Sequence, residues 1–182
     1  NRNVMIQQAL DNKCTHVLFL DDDVAFKPDL LLRLLRHDKD IVTGLCLHRN
    51  YPHQPFIFDE AYDNGTCRYK LLDKEDSGLI EIVNCGFGCC LIKIEVFKEL
   101  EKPWVRLGEL IEKDQWSDDV GFFNRARNFG FKIFCDTDAR VGHMASVIIW
   151  PTKDADGWKT TYDTHGTQTI TVPQVTREQV LL

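Results

Sequence analysis

No stretch of this chain approaches the run of about 18 apolar residues that a membrane-spanning helix needs. There is no excess of positive charge. The 22 Lys and Arg stand against 28 Asp and Glu, for a net charge of −6 and a pI near 5.5. That balance argues against a nucleic-acid backbone as partner, because phosphate binding draws on a basic face, and it suits a bound divalent cation better. There is no internal repeat and no low-complexity tract. No Cys-x-x-Cys pair occurs among the seven cysteines (14, 46, 67, 85, 89, 90 and 135), which argues against a zinc knuckle. Their odd number cannot all pair internally, and most sit in apolar runs where Cys acts as a small hydrophobe. They read as reduced and buried, in a cytoplasmic protein. The opening NRNVMIQQAL lacks the basic-then-apolar pattern of a signal peptide. It also lacks an initiator Met, so a fragment or processed piece is expected.

What is present is ordinary globular composition, 43% apolar and 27% charged over 182 residues, enough for a single domain with a real core. Residues 3–11 have helical spacing. His16–Leu20 is a short apolar strand, Pro28 opens a helix, and Asp40–Leu47 is a second strand. Strand, helix, strand in this order predict a βαβ unit and a parallel sheet. The turn signal Asp63-Asn64-Gly65 predicts a hairpin between Phe56–Phe58 and Cys67–Leu72. Leu79–Val83 and Cys89–Ile94 read as strands around a flexible, glycine-containing loop, Asn84–Gly88. Glu95–Glu101 reads as a short helix and Trp116–Asn128 as the clearest one, with Ser117 as N-cap and Gly130 as its stop. Phe131–Cys135 is a strand. Beyond it the pattern weakens, and 146–182 reads as a C-terminal tail of uncertain role with a last strand at Ile170–Val172.

Three clusters can carry chemistry. Asp21-Asp22-Asp23 ends a buried strand, a place where ligands bind in parallel sheets. The carboxylates either fan into water or grip a cation such as Mg²⁺ or Mn²⁺. Asp118-Asp119 opens a helix. Its carboxylates either compensate the helix dipole or include a general base toward a substrate hydroxyl. His143, after Gly142, is either a packed histidine or an imidazole ligand for a Mn²⁺-like ion.

LDDDV after a strand, then GFGCCLIKIEVF, then WSDDVGFFNRARNFGFKIFCDTDARVGHM resemble a GT-A-type glycosyltransferase of the large inverting family. Arg2-Asn3 is similar to an Arg-Asn pair that precedes the Asp-x-Asp strand in such proteins. The likeness covers about residues 2–145. It implies an α/β, GT-A-like fold, a mostly parallel Rossmann-like sheet flanked by helices with a smaller antiparallel hairpin region. It also implies a nucleotide-diphosphate sugar donor, a glycan or other hydroxyl acceptor, and a Mn²⁺ or Mg²⁺ ion. By the same resemblance Asp21 lies near the nucleoside and Asp23 binds the metal, with His143 and Asp21 as further ligands. Asp22, Arg2 and Gly86 contribute to donor binding, and the Asn84–Gly88 loop lies near the sugar. Asp119 is the general base. Asp118 stands where the family often has Glu, which leaves open which of the two faces the acceptor.

One departure is plain. Such enzymes have roughly two more strands and helices before the Asp-x-Asp strand, whereas only about 20 residues precede it here. A longer parent chain or oligomerisation through the exposed sheet edge is therefore expected. Two rivals stand beside this reading. LFLDDDV also resembles a haloacid-dehalogenase-like phosphatase motif, with Asp21 as nucleophile and Asp23 as acid/base. A glycosyltransferase remnant that only binds a glycan or partner is the other. Arg49, Tyr51, Trp104 and Trp116 can contact sugars or equally serve packing.

Overall fold

The computed structural model describes residues 2–49, 52–62, 66–106, 110–111, 114–115, 118–145, 147–163 and 169–173. In chain order the elements are α1 (Arg2–Asp11), β1 (His16–Leu20), β2 (Val24–Ala25), α2 (Leu30–Arg36), β3 (Ile41–Cys46), β4 (Ile57–Ala61), β5 (Cys67–Tyr69), β6 (Leu79–Ile82), β7 (Asn84–Cys85) and β8 (Cys89–Lys93). They continue with α3 (Ile94–Glu99), β9 (Leu110–Ile111), β10 (Asp114–Gln115), α4 (Asp118–Asn128), β11 (Ile133–Met144), β12 (Ile148–Asp154), β13 (Gly157–Asp163) and β14 (Thr169–Pro173).

Local chemistry closes the helices. Lys13, at φ 55°, ends α1, with Cys14 N–H reaching back to Ala9 O and Lys13 N–H to Leu10 O. Gly130, at φ 93°, ends α4 in the same way, with Phe131 N–H to Ala126 O and Gly130 N–H to Arg127 O. Both are Schellman closures, and the left-handed position explains why glycine stands at 130. Ser117 and the turn at 63–65 lie outside the described residues.

The main sheet runs β1-β8-β3-β11-β12-β13-β14, with β2 and β6 also pairing with β11. It is mixed and mostly antiparallel, which corrects the mostly parallel expectation. Among the described residues only β3 and β11 pair in parallel. The βαβ inference is right about direction and wrong about adjacency. β1 and β3 run the same way, but β8 enters between them, antiparallel to both. β8 carries CCLIK with its first four residues buried, so it can occupy an interior position. β1 lies at one end of the strand order.

Period-2 alternation sorts the strand side chains onto two faces. Ile41, Leu45, Val17, Phe19, Cys90 and Ile92 join Ile6 of α1, Phe97 of α3 and Phe122, Phe123 and Ala126 of α4 in one core. Val42, Cys46, Cys89, Leu91 and Val141 pack on Leu30 and Leu34 of α2 on the opposite face. The expected hairpin is present, β4 pairing with β5, and β7 joins them in a small three-stranded sheet. The loop read as flexible is anchored. Asn84 and Cys85 pair with Phe58 and Ile57, and Phe87 is buried 4.9 Å from the Phe19 ring and 5.0 Å from that of Phe123. Each such ring pair adds about 0.5–1.5 kcal/mol beyond area burial.

The C-terminal residues make a meander, β12, β13 and β14, that extends the main sheet. Trp158 fixes it to the domain. Arg140 and Lys153 each lie over its ring, at 5.3 and 5.2 Å from the centre, and its indole N–H donates to Asp73 O at 3.2 Å.

Candidate functional site

The three consecutive aspartates part company at the end of β1. Asp21 is held by its backbone N–H, which donates to Gly88 O at 3.1 Å, and its carboxylate accepts from Arg2 Nη2 at 3.0 Å. Asp22 is exposed and has no hydrogen bond or ion pair among the described residues. Asp23 faces the other way. β2 pairs with β11 so that Val24 opposes His143, and Met144 N–H donates to Asp23 O at 2.7 Å. That register brings the Asp23 carboxylate to 3.4 Å from His143 Nε2. Arg49 Nη2 donates to the same carboxylate oxygen and lies 3.4 Å from His143 Nε2. Arg2 thus pairs with Asp21 and Arg49 with Asp23.

The imidazole of His143 has a defined tautomer. Nδ1 lies 2.9 Å from Leu47 O, and a carbonyl only accepts, so Nδ1 carries the proton of that bond. In the neutral ring Nε2 then presents its lone pair toward Asp23. This is the arrangement in which a backbone carbonyl orients a metal-binding imidazole. Glycine at 142 lets the next strand close over it, since a Cβ there would lie 2.6 Å from Ile148 Cγ2 and 3.0 Å from the Trp150 ring. Gly86 has a similar role, as a Cβ would meet the Phe56 ring at 2.2 Å. A cavity of about 40 Å³ lies between Asp21 and His143, lined also by Thr43, Gly44, Phe56 and Gly86. It has room for a water or an ion. Among the described residues, no group of three or more His, Cys, Asp or Glu side chains is placed to hold a metal.

The acidic pair of α4 joins the site through Arg2. Its Nη1 donates to Asp118 at 2.9 Å while Nη2 holds Asp21, and its guanidinium lies 4.9 Å from the centre of the Phe87 ring. Asp119 instead accepts the Val120 N–H at 2.9 Å, as helix-terminal carboxylates do. Its charge also reaches the small sheet. The Tyr69 hydroxyl is pushed above its ordinary pKa first by burial and then by Asp119. Asn84 fixes the start of α4, its Nδ2 donating to Val120 O at 3.3 Å and Asn124 Oδ1 at 3.1 Å. Asn3 secures the segment before α4 through paired bonds with Val105, 2.6 and 2.9 Å long.

Arg49 was legible in the sequence only as a possible sugar contact, and its place against Asp23 depends on the tertiary fold. Asn84, as a tie to α4, had no signal beyond its polar character in an apolar stretch. Trp104 is a core residue, 3% exposed, with its N–H on Phe97 O. Tyr51 and Trp116 lie outside the described residues. The five buried cysteines are free thiols, and burial pushes Cys46 and Cys89 up to about 12, so they are inert packing groups. For the phosphatase rival, no lysine contacts Asp21 or Asp23 among the described residues.

Known proteins resemble this chain distantly. It is 27% identical over 176 residues to the galactofuranosyltransferase GlfT2 of Mycobacterium tuberculosis (strain ATCC 25618 / H37Rv), an overlap covering 83% of this chain and 26% of that protein. Against GlfT2 of Mycolicibacterium smegmatis (strain ATCC 700084 / mc(2)155) the identity is 25% over 177 residues, with the same coverage, 83% and 26%. The chain spans about a quarter of the length of these relatives. No family profile matches it. In fold it is similar to the crystal structure of A197 from STIV, with a TM-score of 0.59 and 16% identity over 97% of this chain and 75% of that one. That likeness concerns the fold alone. No helix among the described residues is long and apolar enough to cross a membrane.

Proposed function

We propose that this chain transfers a sugar, with inversion, from a nucleotide-diphosphate sugar to an acceptor hydroxyl, in a GT-A-like arrangement. The observation that carries the reading is the Arg2 guanidinium, which ties strand-end Asp21 to helix-start Asp118 and so draws the two acidic clusters to one site. In the proposed reaction the bond from the sugar C1 to the diphosphate oxygen breaks, and its electron pair leaves with the diphosphate. The acceptor oxygen attacks C1 from the opposite face and gives its proton to Asp119, the general base. Asp118, engaged by Arg2, positions the helix start. Asp21, Asp22, Arg2 and Gly86 lie on the donor side.

Asp23 and His143 would hold a Mn²⁺ or Mg²⁺ ion. A carboxylate beside an imidazole with its Nδ1–H already engaged is a fitting donor pair. Such an ion supplies positive charge against the diphosphate leaving group. The free thiols suit a reducing, cytoplasmic setting. The edge of β1 is where strands of a longer chain or a second copy would add.

The test is thermal stabilisation by UDP, GDP, dTDP and CDP, each with and without Mn²⁺, on wild type and Asp23→Ala. It is followed by turnover assays headed by an activated galactofuranose, after the activity named for the two relatives. A Mn²⁺-dependent shift with one nucleotide, lost in the variant, is expected. No shift and no turnover with any donor would sink the proposal.

A further inference from the structure

Arg49 lies on the short segment after β3, two residues past Leu47, whose carbonyl orients His143. One nitrogen of its guanidinium faces both the Asp23 carboxylate and His143 Nε2. These are the two lone-pair-bearing atoms that β2 and β11 bring to one point. A guanidinium cannot share such positions with a metal, because like charges a few ångströms apart repel strongly. Whatever cation binds Asp23 and His143 has to displace Arg49 first. The displaced side chain is half-exposed, at 50%, so it can swing away without breaking core packing. Its planar fork of donors matches phosphate oxygens.

We infer that Arg49 is a resident counter-cation, which holds Asp23 and His143 in place and moves onto the donor's diphosphate when a divalent ion takes them. This rests on the glycosyl-transfer reading above and adds to it a linkage between metal and nucleotide. Metal binding releases Arg49 for the diphosphate, and diphosphate binding frees the metal ligands. Each ligand therefore tightens the other by the same factor.

The experiment counts bound Mn²⁺ by loss of the free-ion EPR signal, on the full chain, for wild type, Arg49→Gln and Arg49→Lys. Each is titrated alone and with UDP, GDP, dTDP or CDP, and thermal melts check that all three are folded. Without nucleotide, Arg49→Gln should bind Mn²⁺ at least about fivefold more tightly than wild type, and Arg49→Lys should lie between them. After subtraction of the Mn²⁺ that the same nucleotide binds without protein, the best nucleotide should tighten Mn²⁺ binding about fivefold or more in wild type, and Arg49→Gln should show a smaller tightening, the part left being the direct attraction between ion and diphosphate. Equal or weaker Mn²⁺ binding by Arg49→Gln overturns the inference, as does a nucleotide tightening that the substitution leaves undiminished. Mn²⁺ binding by neither protein overturns it too. If sugar transfer nonetheless proceeds in EDTA, the glycosyl-transfer reading stands and only this inference falls.

Discussion

Arg2 Nη1 lies 2.9 Å from the Asp118 carboxylate, across 116 residues of chain, while the other arm of the same guanidinium holds Asp21 at 3.0 Å. One side chain on the first turn of α1 therefore sets the spacing between the end of β1 and the start of α4. All three groups are partly exposed, at 32%, 45% and 26%, so solvent screens both pairs. The geometric consequence outweighs the energetic one.

Arg2→Gln should lower the unfolding free energy by only about 1 kcal/mol. Turnover should fall about tenfold to a hundredfold, because the two clusters lose their fixed separation. Melting curves and donor turnover measured together check this. A large drop in melting temperature with unchanged turnover would make Arg2 a purely structural residue.

Asp118→Asn and Asp119→Asn should separate positioning from proton transfer. Loss of Asp119, the proposed base, should reduce kcat about 10²–10⁴-fold with little change in donor KM. Asp118→Asn should resemble Arg2→Gln, and the double variant should be no worse than either single one, since both remove the same bridge. Equal kcat losses for the two aspartates would contradict the assignment.

Asp136 links stability to pH. Its carboxyl is 1% exposed, and burial alone would push its pKa up. Hydrogen bonds from His37, the Asp138 N–H and Arg33 outweigh that, and the net value lies below the ordinary one. A depressed carboxyl adds stability that is fully present above the unfolded value of about 3.9. That stability is lost as pH falls through the folded value. Asp136→Asn should therefore flatten the acid limb of a stability-against-pH curve below about pH 4 and cost about 3 kcal/mol at neutral pH. Urea unfolding between pH 2.5 and 7 reads both effects, and an unchanged acid limb would refute the linkage.

Gly86→Ala should destabilise the protein by about 1–3 kcal/mol, because the new methyl would lie 2.2 Å from the Phe56 ring. Adding Phe56→Leu should recover part of that loss by vacating the space. Calorimetry on the single and double variants decides it, and a harmless Gly86→Ala would show that the Phe56 ring yields freely.

By itself the sequence determined the local elements and the places where charge collects. Apolar runs specified β1, β3 and β8, and a left-handed glycine after an amphipathic run specified the end of α4. These follow from near neighbours, through period-2 alternation and helix capping. The acidic clusters were legible because like charges at a strand end or a helix start need an account wherever they occur. Of the C-terminal meander only the last strand was legible, at Ile170–Val172 within β14; β13 reads as a polar segment and is held by Trp158 against Arg140, Lys153 and the Asp73 carbonyl. Only the tertiary structure decided that β8 enters between β1 and β3, which changes a parallel sheet into a mixed one. It alone directed Asp21 toward Arg2 and Asp23 toward His143 and Arg49. The Arg2–Asp21 and Arg49–Asp23 pairings span 19 and 26 residues of chain, and Arg49 and His143, which meet beside Asp23, lie 94 residues apart. Side chains so far apart in sequence meet only because packing of the whole core fixes which strand lies beside which, and no local pattern carries that information.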